Sequence, residues 1–135
     1  HGRVAMLALD TGQVWWGRDL SSYSGLDLDQ ERVFVTGSDG SVVALRRRDG
    51  GVVWQQDALL YRRLSAPAVN GQYIVVGDLD GYLHWLDRDS GEFVARDRMS
   101  RDRLASQPLV VDGMLYAMNV EGKIVAYRSE GAAGG

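Results

Sequence analysis

Along this chain short apolar runs alternate with polar residues and are separated by glycine-centred turns. Alternation with a period of two marks half-buried strands. The runs are rich in β-branched and aromatic residues, which suit a pleated surface. They predict strands at 3–9, 13–18, 25–28, 32–37, 41–46, 52–57, 66–69, 73–77, 82–87, 92–98, 107–111, 114–119 and 123–128. No stretch holds a 3.6-residue period long enough for a helix, so the expected class is all-β with about thirteen strands.

The strands recur in a fixed frame. Gly2, Gly40, Gly81 and Gly122 stand about forty residues apart. Two positions after them come Val4, Val42, Leu83 and Ile124, and five after them Leu7, Leu45, Leu86 and Tyr127. Ser24, Ser65 and Ser106 are each 41 residues from the next, and Pro67 and Pro108 keep the same interval. A repeat of this length suits one four-stranded blade of a β-propeller. Asp39-Gly40 and Asp80-Gly81 between apolar runs are strong hairpin signals, because the turn needs positive φ. Residues 1–130 therefore read as about three blades of a larger ring, with only the two middle repeats complete. The tail 131–135 has no large side chains to bury and is expected to be disordered. An open arc also exposes a blade face at each end, so the fragment is expected to self-associate or to pair with blades outside this sequence.

Composition narrows the function classes. The chain has 135 residues, 45% apolar and 24% charged, with seventeen glycines and two prolines. A net charge of −3 gives no general attraction to nucleic acid or to anionic lipid. The absence of cysteine excludes disulfides, thiolate metal sites and thiol nucleophiles within this sequence. No apolar run approaches the ~18 residues of a membrane span. Trp16 and Trp54 share one repeat position, where the third unit has Ala95. Trp85 occupies the slot held elsewhere by Met6, Ala44 and Ala126, and is expected to compensate. These rings read as packing between blades; a carbohydrate-stacking role for Trp85 is the alternative.

Two stretches, 8–16 and 43–54, resemble the tryptophan-docking repeat of quinoprotein-type propellers. Residues 57–67 (DALLYRRLSAP) and 75–86 (VVGDLDGYLHWL) are similar to the C-terminal part of the BamB family, propeller lipoproteins of the outer-membrane β-barrel assembly machine. The resemblance covers the chain up to about Arg128. It implies an eight-bladed ring on the periplasmic face of the outer membrane, lipid-anchored through a cysteine upstream. It also implies a non-enzymatic scaffold that binds the POTRA domains of BamA, through blades upstream of His1, and possible contact with nascent outer-membrane proteins. No nucleic-acid partner is implied, and membrane contact only through the anchor.

The candidate chemistry is sparse. His84 lies mid-strand and reads as structural rather than catalytic. Asp78, Asp80, Asp87 and Asp89 fit turn chemistry better than a calcium loop. No catalytic residue, metal site or cofactor is expected. A quinone-dependent (PQQ) dehydrogenase domain is the alternative reading, and a generic sensor or adhesion propeller a third. Arg46, Arg47 and Arg48, and the cluster Arg96, Arg98, Arg101 and Arg103, read as solvated edges that discourage strand pairing. The candidate partner-binding segment is Leu59, Leu60, Tyr61, Arg62 and Arg63, apolar residues beside arginine in a rim loop. The competing expectation is that its leucines fold back between blades.

Overall fold

Each repeat folds into an antiparallel meander, as its glycine turns demand. The structure, a computed structural model, describes residues 2–7, 14–20 and 23–128. The first sheet pairs β1 (Gly2–Leu7) with β2 (Val14–Leu20). The next runs in order β3 (Tyr23–Leu28), β4 (Arg32–Gly37), β5 (Val42–Arg46) and β6 (Val52–Gln56). A second full blade holds β7 (Ala68–Asn70), β8 (Tyr73–Gly77), β9 (Tyr82–Asp87) and β10 (Phe93–Arg98). The last sheet has three strands, β11 (Leu109–Val111), β12 (Met114–Met118) and β13 (Ile124–Arg128). All strands pair antiparallel with their sequence neighbours, and the inner strands β3, β7 and β11 lie side by side. That is the radial arrangement of a propeller. The tail 131–135 and the side chain of Trp16 lie outside what is described.

All thirteen expected strands are present among the described residues, but two inner strands start late. The expected 66–69 and 107–111 become 68–70 and 109–111. Pro67 and Pro108 explain the shift, because proline has no N–H to give to a ladder.

The three hairpin turns at Gly40, Gly81 and Gly122 share one backbone bond and solve one position three ways. Gly37, Asp78 and Asn119 each donate N–H to the carbonyl four residues on, at 2.8, 2.9 and 3.0 Å. Asp78 Oδ1 accepts from the amides of Asp80 and Tyr82, and Asn119 Oδ1 from those of Glu121 and Lys123. Where Gly37 has no side chain, the Asp39 carboxylate turns in and takes the Ser41 amide and hydroxyl. The marker glycine has a second duty. Gly40 adopts φ +98°, and a Cβ there would strike the Leu59 carbonyl of the crossover loop lying over it. Gly81, at φ +84°, stands in the same relation to the Ser100 carbonyl.

Two apolar clusters lie between sheets, while a third, Val33, Val35, Val43 and Leu45, lines one face of β4 and β5. Phe34, Val42, Ala44, Trp54, Leu59 and Leu64 of one blade close on Ile74, Val76 and Leu86 of the next. Ala68, Val75, Leu83, Met99 and Leu104 then close on Leu115 and Ala117. Trp54 makes the first junction specific. Its ring lies on Gly91, where an added Cβ would meet Cε3 at 2.5 Å, and its Nε1 donates to the Arg88 carbonyl at 2.8 Å. Beside it, Gln56 Nε2 donates to the Gly91 carbonyl.

The second junction inverts that pattern. Ala44 sits opposite Trp54 across β5 and β6, whereas Trp85 sits opposite Ala95 across β9 and β10. The large ring has moved one strand inward while the paired volume is kept. Trp85 meets Tyr127 of the last sheet edge-on, with ring centroids 5.1 Å apart, and the Tyr127 hydroxyl donates to Asp97 Oδ2 at 2.7 Å. The compensation expected of Trp85 is therefore packing between blades. The far face of the last sheet stays open: Leu109 and Ile124 are 62% and 65% exposed, and Val111, Tyr116 and Met118 lie beside them.

Removing the Trp54 ring should cost about 3–5 kcal/mol, the usual range for a buried large aromatic. Trp54→Phe should cost about 1 kcal/mol or somewhat more, because it keeps most packing but strands the Arg88 carbonyl. Urea unfolding of the two variants measures both; no measurable cost for Trp54→Phe would contradict the hydrogen bond's share, and equal costs for the two would contradict the share of packing.

Candidate functional site

The loop after β6 crosses from one blade to the next and is bolted at both ends. The Tyr61 amide donates to the Asp39 carbonyl at 2.7 Å, and the Leu79 amide to the Arg62 carbonyl at 3.0 Å. Tyr61 and Arg63 take positive φ, 68° and 53°, which turns alternate side chains to opposite sides. The five candidate residues therefore separate. Leu59 is buried in the inter-blade core and cannot be part of an exposed docking triplet. Leu60 is half-buried and Tyr61 is 83% exposed. Arg62 is half-buried, 3.6 Å from Asp78 Oδ2. Arg63 points to the inner side, where it lines a cavity of about 720 Å³ with Arg103, Ser65, Ser106 and Gln107. The leucine nearest the blade thus folds inward, because the loop must cover the junction it crosses.

Beneath Arg62 lies a buried polar pair. His84 and Asp78 are both almost fully enclosed, with His84 Nε2 2.8 Å from Asp78 Oδ2. Burial pushes the Asp78 carboxyl up. The opposing causes are stronger: the His84 hydrogen bond, the amides of Tyr82 and Asp80, and the His84 charge hold it below the ordinary 3.8. Neighbouring aspartates also serve turns. Asp87 Oδ1 accepts the Asp89 amide and Oδ2 the Ser90 hydroxyl. Asp89 in turn pairs with Arg32 of the preceding blade at 2.7 Å. His84 and the acids are thus committed to holding the hairpin and the blade junction.

Further residues join blades at the inner and outer rims. Asp27 Oδ2 accepts the Val69 amide, and Gln107 Nε2 donates to the carbonyls of Pro67, at 2.6 Å, and Leu26, at 3.3 Å. Gln107 thereby ties three successive inner strands. The repeat pattern does not reveal it, because Ala66 holds the corresponding position. The arginines at 46–48 edge an open groove with Gln30 and Glu31. Arg46 pairs with Asp49, and Arg47 donates to the carbonyls of Asp29 and Gln30.

This arrangement agrees with the protein's relatives. A family model described as outer membrane protein assembly factor BamB matches residues 1–133. The chain belongs to the BamB family. A Pseudomonas aeruginosa member, named outer membrane protein assembly factor BamB, is 42% identical over 127 residues, covering 94% of this chain and 33% of that protein. The crystal structure of BamB from Moraxella catarrhalis superposes with a TM-score of 0.86 at 31% identity, over 94% of this chain and 38% of that one. A quinohemoprotein alcohol dehydrogenase from Pseudomonas putida HK5 matches with a TM-score of 0.68 at 24% identity, over 82% of this chain and 20% of that one. That last likeness shows the fold alone. The chain spans about a third of the length of the curated relatives it matches.

The depressed Asp78 carboxyl makes a directional statement about acid. Its ionised form stabilises the fold fully above the unfolded-state value near 3.8, and the contribution is lost as pH falls through the lower folded value. Asp78→Asn should therefore be less stable than the parent at neutral pH, with the gap closing below about pH 4. Denaturation midpoints measured across that range check it, and a gap that widens in acid would contradict it.

Proposed function

We propose that this chain is part of a non-enzymatic scaffold and binding subunit for the assembly of outer-membrane β-barrel proteins, working at the periplasmic face of the outer membrane. The observation that carries the reading is family membership across residues 1–133. The geometry fits it, because His84 and its acid are spent on a hairpin. In the full-length protein, the BamA POTRA domains would be bound through blades upstream of His1, and a lipid anchor upstream would hold the ring at the membrane. A further blade of the longer protein would cover the apolar face of β11–β13. A dehydrogenase reading draws only on the shared propeller fold.

The mechanism we infer for client contact is strand addition. Among the described residues β13 ends its sheet with no strand on its outer side. Such an edge offers a row of N–H and C=O groups to an extended segment. Affinity purification of the full-length protein from solubilised outer membranes should bring down BamA, and its absence would sink the subunit reading. Amide exchange on 124–128 should slow when an unfolded β-barrel peptide is added. Unchanged protection would reject strand addition there while leaving the subunit reading standing.

A further inference from the structure

A groove between the two full blades has the make-up of a peptide site. Ala58, Leu59 and Arg62 from the crossover loop form one wall. His84 on β9 and Phe93, Val94 and Arg96 on β10 form the other, around a volume of about 340 Å³. That is the small end of the ~300–1,000 Å³ range of ligand pockets. Rings lie along one face of the sheet, His84 and Phe93 in the groove and Tyr82 beside it. Tyr82 stacks on His84 at 6.1 Å, and Phe93 meets His84 edge-on at 6.1 Å. Phe93 is 42% and Val94 54% exposed, so apolar surface remains open to water.

The charge around this row has one sign. Arg96 and Arg98 lie over the Tyr82 ring, 5.3 and 5.1 Å from its centre. Arg62 stands at the opposite wall. The acid beneath, Asp78, is enclosed and committed to two amides and His84, with Arg62 a further 3.6 Å contact, so its charge is not presented to the groove. Asp97 on the same strand faces the other way, to Tyr127. Among the described residues no carboxylate lies within ion-pair distance of Arg96 or Arg98. The whole chain is net negative, so this positive patch is local. Finally, β10 is the outer strand of its sheet, all six residues exposed, and no strand among the described residues pairs with its outer edge.

We propose that this groove binds an extended acidic peptide segment: one large apolar side chain enters between Ala58 and Phe93, flanking carboxylates meet Arg96 and Arg62, and the peptide backbone adds to the free edge of β10. Arginine on an edge strand can simply discourage pairing, but that role does not account for the ring-lined groove beside it. Aromatic, apolar and arginine residues together are the composition of interface centres. A lipid headgroup would satisfy the arginines and leave the strand edge unused, which favours a peptide. The site is separate from the β13 edge and does not depend on it.

The test is fluorescence anisotropy of a labelled heptapeptide, Thr-Val-Asp-Phe-Glu-Val-Thr, titrated with this chain. Saturable binding is expected. Replacing the probe's Phe by Ala should weaken it about tenfold or more, and Arg96→Glu should do the same. Ala58→Trp, which fills the groove from an exposed turn, should abolish it. Arg48→Glu, outside the groove, should leave it unchanged. The altered probe needs no protein variant, so the result stands even if a substitution disturbs folding. No saturable binding, or equal loss with Arg48→Glu, would overturn the proposal. So would stronger binding to phosphatidylglycerol vesicles that Arg96→Glu removes and Ala58→Trp does not, since the patch would then be a membrane surface.

Discussion

The contact on which the rest depends is the seating of Trp54 on the neighbouring blade. A four-stranded blade buries its two faces only against other blades, so the junction supplies both cohesion and geometry. The apolar clusters pack without fixing an angle. The indole adds direction, because its N–H reaches one carbonyl, that of Arg88, and its ring fits only where Gly91 has no side chain. A glycine in the left-handed region at φ +76° satisfies the turn and the close approach together. Gln56 closes the same corner. At the following junction the ring comes from β9 instead, and Tyr127 and Asp97 replace the indole's hydrogen bond. Two solutions to one packing problem thus stand side by side.

Polar groups obey the same economy. Buried donors and acceptors must be paired, and here most are spent where chain segments cross. Asp78, Asn119 and Asp39 hold hairpins, Thr36 donates to the Ser65 carbonyl across blades, and Gln107 gathers inner strands. The structural skeleton therefore uses the interior, which leaves recognition to rims and edges. Among the described residues β6, β10 and β13 each leave an open outer edge, and arginine and aromatic residues gather near that of β10.

Much of this was legible from residue order. Alternation and the marker glycines place the strands, since most bury one face and the turns at Gly40, Gly81 and Gly122 need positive φ. The exchange of Trp85 for Ala95 shows as a shift between two repeat slots. Other features were not legible. The late starts of β7 and β11 follow from proline's missing donor, a local effect that alternation does not register. Leu59 and Leu60 look alike in sequence, yet one is core and the other half-buried, because the turn that carries both sends only Leu59 into the blade junction. The groove needs residues from β9, β10 and a loop some thirty residues earlier, so no single motif contains it. Gln107 has no counterpart in other repeats and carries no periodic signal.

The blades stack face to face through the Trp54 indole. Exchange of its N–H with solvent deuterium, followed by NMR in the full-length protein, tests that most directly. The indole proton should be protected like the central amides of β5 and β8 and show cross-relaxation to the Gly91 α-protons. An indole that exchanges as fast as an exposed tryptophan, with no contact to Gly91, would contradict it.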